Sequence, residues 1–168
     1  MRRTIVIAVA VAFAAGATAA PAAAPAPLKI TSEGVGQVKI GKRFKTLRQQ
    51  GLVGKLRKGC ELGGPQTRSA RLLAPLQGSV NFTLTNPRKA TDITVRGGAE
   101  ARGVGIGDTI ADIKAAFVKR KIDHTQEGVF GLTFVFVPNK NNPRLMFAVD
   151  VNTDKITLIG TPFIALCE

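Results

Sequence analysis

The sequence predicts an α+β protein of two tandem repeats, each a short helix followed by an antiparallel meander, with the helices packed on one face of the sheet. Three observations predict it. Val38-Lys39-Ile40-Gly41-Lys42-Arg43-Phe44-Lys45-Thr46-Leu47-Arg48 lies over Val104-Gly105-Ile106-Gly107-Asp108-Thr109-Ile110-Ala111-Asp112-Ile113-Lys114 at an offset of 66 residues. The second copy continues as a helix, with Ile110, Ile113 and Phe117 on one face. Short β-rich runs bounded by turn residues then follow in each half.

The elements can be justified in chain order. Arg2 and Arg3 precede an uncharged apolar run, Thr4 to Ala15, and Ala17-Thr18-Ala19 supplies small residues for cleavage. This is the pattern of a secretory signal peptide, residues 1–19. An uncleaved anchor is the alternative, but a bilayer needs roughly 20 apolar residues, more than this Ala-rich run supplies. Residues 20–34, which include Pro21-Ala22-Ala23-Ala24-Pro25-Ala26-Pro27, read as an Ala/Pro linker. Residues 35–168 then form one globular domain of two repeats, about 35–97 and 98–168.

In the first repeat, Gly41 starts a helix over Phe44 to Gln50 that breaks at Gly51 and resumes with Leu52, Val53 and Leu56. A run from Ser69 to Leu76 follows, then a strand with Val80, Phe82 and Leu84 on one side. Asn86-Pro87-Arg88-Lys89 turns the chain towards Ile93 and Val95. In the second repeat, Gly107 starts the helix, Asp108 or Thr109 caps it, and Asp112 adds negative charge to its first turn. Lys119-Arg120-Lys121 suits the negative end of the helix dipole. Strands over Val129–Val137, Leu145–Val151 and Ile156–Gly160 complete a meander.

The motif helix starts, each leading into a meander, resemble the tandem helix-and-sheet fold of secreted beta-lactamase inhibitor proteins. They are also similar to small envelope lipoproteins of the SmpA/OmlA type, and to exported actinobacterial proteins with a cysteine in each half. The resemblance implies the fold and an extracytoplasmic location. It does not carry over an activity, because fold alone does not specify function. The inhibitors grip targets with an aromatic-rich sheet, whereas this chain has no Trp and no Tyr. The lipoproteins carry a lipidated N-terminal cysteine, which is missing here.

Charge and motif content narrow the functional classes. Without residues 1–19, 22 basic residues face 11 acidic ones, a balance that attracts polyanions. Lys39, Lys42, Arg43, Lys45, Arg48, Lys55, Arg57 and Lys58 lie in a stretch without an acid. They read either as contacts to an anionic surface or as a solvated face. The expected partners are an anionic envelope polymer, lipid headgroups or an acidic protein. Nucleic acid is disfavoured because no aromatic stacking motif accompanies the charge. Cys60 and Cys167, the only cysteines, are natural disulfide partners in an exported chain.

Gly103, Gly105 and Gly107 give G-x-G-x-G, not the G-x-G-x-x-G of a dinucleotide loop, and Asp108 would repel a phosphate there. The repeat makes Gly107 the counterpart of Gly41, a turn into a helix. His124, the only histidine, has Asp123 and Glu127 nearby, but the segment reads as a polar turn. Phe130, Leu132, Phe134 and Phe136 share one face of a run that is apolar on both sides, through core packing or an apolar binding face. Asn81-Phe82-Thr83 matches a glycosylation sequon inside a strand. No catalytic residue, metal ligand or cofactor is assigned. The sequence therefore predicts a secreted or envelope, non-enzymatic binding or structural module. A protein-binding, inhibitor-like module using its sheet face is the alternative, and a hydrolase is the least favoured reading.

Overall fold

The computed structural model describes residues 26–59, 68–138 and 144–166. The stretch expected as a signal peptide, most of the Ala/Pro run, Cys60, Cys167 and much of the Pro138–Arg144 turn lie outside the described residues. The chain is α+β; its described residues form two largely antiparallel sheets of five and eight strands and three short helices.

The smaller sheet gathers β1 (Leu28–Thr31), β2 (Gly34–Val35), β3 (Val38–Lys39), β8 (Ala99–Ala101) and β9 (Val104–Gly105) in the order β3-β2-β1-β8-β9. Part of the stretch expected as linker is thus strand, with Ile30 buried. Strands β2 and β3 pair Gly34 with Lys39 and Val35 with Val38. Strands β8 and β9 pair Glu100 with Gly105 and Ala101 with Val104. Both hairpins close over two residues. Arg102 and Gly103 sit at φ 52° and 78°, the backbone that a primed hairpin turn requires.

Each hairpin leads into a helix, α1 (Phe44–Gln49) or α2 (Ile110–Ala116). At one start, Gly41 N–H donates to Ala90 C=O at 2.8 Å, and Ala90 N–H returns a bond to Lys42 C=O at 2.9 Å. At the other, Gly107 N–H donates to Ile156 C=O at 2.9 Å, and Ile156 N–H returns a bond to Asp108 C=O at 2.8 Å. Gly41 and Gly107 have φ 79° and 92°, a region that favours glycine. Thr109 is the N-cap of α2, and its hydroxyl and Asp112 form a reciprocal capping box. Helix α1 has Arg43 at its N-cap and no side-chain cap bond.

The larger sheet runs in the order β10-β11-β12-β13-β7-β6-β5-β4. One half comprises β4 (Val53–Lys58), β5 (Arg68–Leu72), β6 (Gln77–Phe82) and β7 (Ala90–Gly97). The other comprises β10 (Lys121–Asp123), β11 (Leu132–Val137), β12 (Leu145–Asp150) and β13 (Lys155–Thr161). Strands β13 and β7 join the halves antiparallel, pairing Gly160 with Thr94.

Two segments differ from expectation. Val53, Leu56 and their neighbours form β4 rather than a resumed helix. A register shift between Val53 and Leu56 spaces these apolar residues three apart, which mimics a helical period. Val129 and Phe130 fall in helix α3 (Glu127–Phe130), ended by Gly131 at φ 64°, so the strand begins at Leu132 and Phe130 leaves the shared face. Leu84 lies past the end of β6 and is exposed.

One face of the large sheet, the small sheet, α1 and α2 share a core that includes Val35, Leu47, Phe82, Ile93, Ile113, Val135, Phe147 and Ile159. Full burial of each large side chain is worth roughly 1.5–3 kcal/mol. Phe82 meets Phe44 edge-on, with ring centroids 5.3 Å apart. On the opposite face, Phe134, Met146, Ala148 and Leu158 pack with Ile164 of the segment that follows β13. That segment folds back closely over Gly160, and Ala165 N–H donates to Thr94 Oγ1 at 3.2 Å. A Cβ at Gly160 would lie 2.5 Å from Phe163 O and 2.6 Å from Ile164 Cγ1. Gly160→Ala should therefore lift the segment and cost about 1–3 kcal/mol. A lowered denaturant midpoint with faster proteolysis after Thr161 is expected; an unchanged midpoint would contradict the close packing.

Candidate functional site

The basic residues singled out in the sequence divide between two places. Lys42 and Arg43 are exposed in the turn before α1, and Lys45 and Arg48 are exposed on the helix itself. Phe44 N–H donates to Arg88 C=O at 2.9 Å, and Arg43 bridges to Lys89, so the exposed Lys89 joins this group. In the sequence Arg88 and Lys89 belong to the Asn86–Lys89 turn, and their charge is the signal that marks them. Arg48 Nη1 donates to Val53 C=O at 3.3 Å and ties the helix end to β4. Lys55 and Arg57 alternate with Leu56, whose side chain joins the main core, so they occupy the opposite face. Lys58 is exposed at the end of β4, whereas Lys39 is half-buried in β3. The eight residues therefore do not form a single-faced patch.

Position explains part of the β4 charge. Among the described residues, this strand is an edge of the large sheet. Lys and Arg along an exposed edge oppose its pairing with another strand.

Four aspartates are engaged in local structure. Asp108 Oδ2 accepts from Gly105 N–H at 2.7 Å. Asp112 Oδ2 accepts from the Thr109 hydroxyl at 2.7 Å and from its N–H at 2.9 Å. Asp123 Oδ1 accepts from the Thr125 hydroxyl and N–H at 2.7 and 2.9 Å. Asp150 Oδ1 accepts from the N–H groups of Asn152 and Thr153 at 3.0 and 2.9 Å. Hydrogen bonds lower the carboxyl pKa values of Asp112 and Asp123, the Thr109 and Thr125 hydroxyls first, and that of Asp150, the Thr153 N–H first. Residues 34–91 contain twelve Lys and Arg against one acid, Glu61. Lys42, Arg43 and Lys45 have no carboxylate partner among the described residues.

His124 Nδ1 lies 2.5 Å from Glu127 Oε1, and the buried Thr133 hydroxyl donates to the same oxygen. The Thr133 bond first, then His124, lowers the Glu127 pKa. Glu127 thus stands between the hydroxyl and the imidazole, the reverse of an imidazole activating a nucleophile. This arrangement clasps α3 to β11. The glycine stretch is equally structural: Gly103 turns a hairpin, Gly105 ends β9, and Gly107 starts the approach to α2. Among the described residues, no group of His, Cys, Asp and Glu is arranged to hold a metal ion, and no helix is long and apolar enough to cross a membrane.

These features define an α+β protein with several aspartates held in turns and Lys42, Arg43 and Lys45 exposed. No family model, curated protein or solved structure matches this chain.

Asp92 differs from these turn aspartates. It is buried on the second sheet face, where Asn81 Nδ2 donates to Oδ1 at 2.8 Å and Thr91 Oγ1 to Oδ2 at 2.9 Å. Burial raises its pKa against the lowering effect of both bonds. The folded state therefore holds this proton more tightly than the unfolded state. The stabilising contribution is complete below an unfolded pKa of about 4 and is lost as pH rises through the folded value. Asp92→Asn should abolish that decline, so its melting temperature relative to the parent protein increases from pH ~4 to pH ~7. Parallel curves across that range would refute the assignment.

Proposed function

We propose that this chain is an exported, non-enzymatic binding module of the cell envelope that contacts an anionic polymer or lipid surface through Lys42, Arg43 and Lys45 of its basic 39–58 segment. The carrying observation is the exposed Lys42-Arg43-Lys45 group, joined by Lys89 and without acidic partners among the described residues. Uncompensated surface charge attracts polyanions through a field that salt screens within about 8–10 Å. The N-terminal sequence supports export, and an oxidising location would suit a Cys60–Cys167 disulfide.

The tandem repeat belongs to the same reading. Its support is the offset of 66, which relates the β2–β3 register to that of β8–β9 and the Gly41–Ala90–Lys42 bonds to the Gly107–Ile156–Asp108 bonds. Burial of Leu47 and Ile113 in one core supports helices on a common sheet face. The likeness to the inhibitor and lipoprotein folds rests on this organisation. The inhibitor-like alternative has less support, because Ile164 packs over the opposite apolar face at β11–β13. The hydrolase reading has less still, since Glu127 engages both His124 and Thr133.

Cosedimentation with phosphatidylglycerol vesicles and with soluble polyphosphate tests the proposal. Binding should weaken steeply between about 50 and about 300 mM salt. Combined Lys42→Glu, Arg43→Glu, Lys45→Glu and Arg48→Glu should weaken it about tenfold or more while leaving the melting transition cooperative. Binding indifferent to salt, or unchanged in this folded variant, would overturn the proposal.

A further inference from the structure

Two open grooves meet beside the end of α2, away from the 39–58 segment. One, of about 460 Å³, has Arg102, Phe117, Val118 and Leu145 in its lining. The other, of about 610 Å³, is bounded by Lys119, Lys121, Phe136 and Arg144. Val118, Lys119 and Pro138 border both, so the grooves form one continuous depression. Each volume falls within the range of small-molecule sites.

The lining combines two chemistries. Its floor is apolar: Phe117 and Leu145 are buried, Phe136 is half-buried, and Val118 is 89% exposed at the rim. Its cations are arranged over that floor. The Arg102 guanidinium lies 5.3 Å from the Phe117 ring centroid, and that of Arg144 lies 5.6 Å from the Phe136 centroid. A guanidinium held over a ring keeps much of its N–H edge available for an anion. Lys119 and Lys121 are exposed beside it. The acid in this lining, Asp123, accepts hydrogen bonds from Thr125.

We infer that this depression binds one monomeric anionic amphiphile, an acyl chain ending in a phosphate or carboxylate. The chain lies over Phe117, Val118, Phe136 and Pro138, and the head meets Lys119, Lys121 and Arg144. Charge complementarity selects the head, and removal of apolar surface from water favours the chain. A bare anion leaves the floor wet, whereas a neutral amphiphile leaves the lining's cations in excess over its acid, Asp123. The groove draws on residues outside the 39–58 segment, so the inference stands apart from the proposed polyanion contact.

Calorimetry with dodecyl phosphate below its micellar concentration tests this, with Val118 methyl shifts as a second reading. Saturable one-to-one binding with a shift at Val118 is expected. Paired Lys119→Glu and Arg144→Glu should weaken it about tenfold or more, while Lys42→Glu with Lys45→Glu leaves it unchanged. Val118→Ser, which keeps every charge, should also weaken it. Equal affinity for dodecyl maltoside or inorganic phosphate would overturn the inference. So would undetectable dodecyl phosphate binding, or equal losses from both charge-reversed pairs.

Discussion

The rest of the structure depends on two paired backbone clamps, one at Ala90 and one at Ile156. Each strand residue exchanges both of its main-chain hydrogen bonds with the turn that leads into a helix. Helices of six and seven residues are too short to stand alone in water. Leu47 is the buried anchor of α1 and Ile113 that of α2. The clamps tie the turns before α1 and α2 to β7 and β13, the strands that join the halves of the large sheet. Positive φ at Gly41 and Gly107 lets the chain approach closely enough for these bonds. Of the alternating glycines in residues 103–107, Gly107 serves this docking and Gly103 the hairpin turn, and their resemblance to a phosphate loop is superficial.

A second constraint governs the surface. Tight turns leave backbone N–H groups that need acceptors, and Asp is well suited to supply them locally. Asp108, Asp112, Asp123 and Asp150 all do so. Acids in these positions are poorly placed to neutralise Lys42, Arg43 and Lys45 across the molecule. The outward positive field thus follows from where the acids sit as well as from their scarcity. Asp92 obeys a different balance, because it must satisfy a buried site from which water is excluded.

Much of the second half was legible in the sequence because local chemistry and tertiary burial agree there. Ile110, Ile113 and Phe117 keep a helical period, Thr109 and Asp112 supply the start signal, and β12 and β13 match their apolar runs. Agreement fails where a backbone irregularity alters the period. The bulge in β4 gave Val53 and Leu56 a helical spacing, and Gly131 divided an apolar run into helix and strand. The parallel pairing of β1 with β8 joins segments about 70 residues apart, and no local pattern encodes it. The basic run was visible as composition, but its division between α1 and the two faces of β4 needed the sheet register. The depression beside α2 was invisible for a similar reason: Arg102, Lys119 and Arg144 belong to separate segments.

The charged edge at β4 has a colloidal consequence. Lys55 and Arg57 repel the same edge of another molecule, and this repulsion keeps an otherwise available row of main-chain groups dispersed. A polyanion that neutralises them removes the barrier while concentrating many copies along one polymer. At charge-matched stoichiometry the same contact would favour edge-to-edge condensation, whereas excess polymer would again separate the copies. If the proposed polyanion contact holds, phase behaviour would depend on the ratio of polymer to protein as well as on protein concentration.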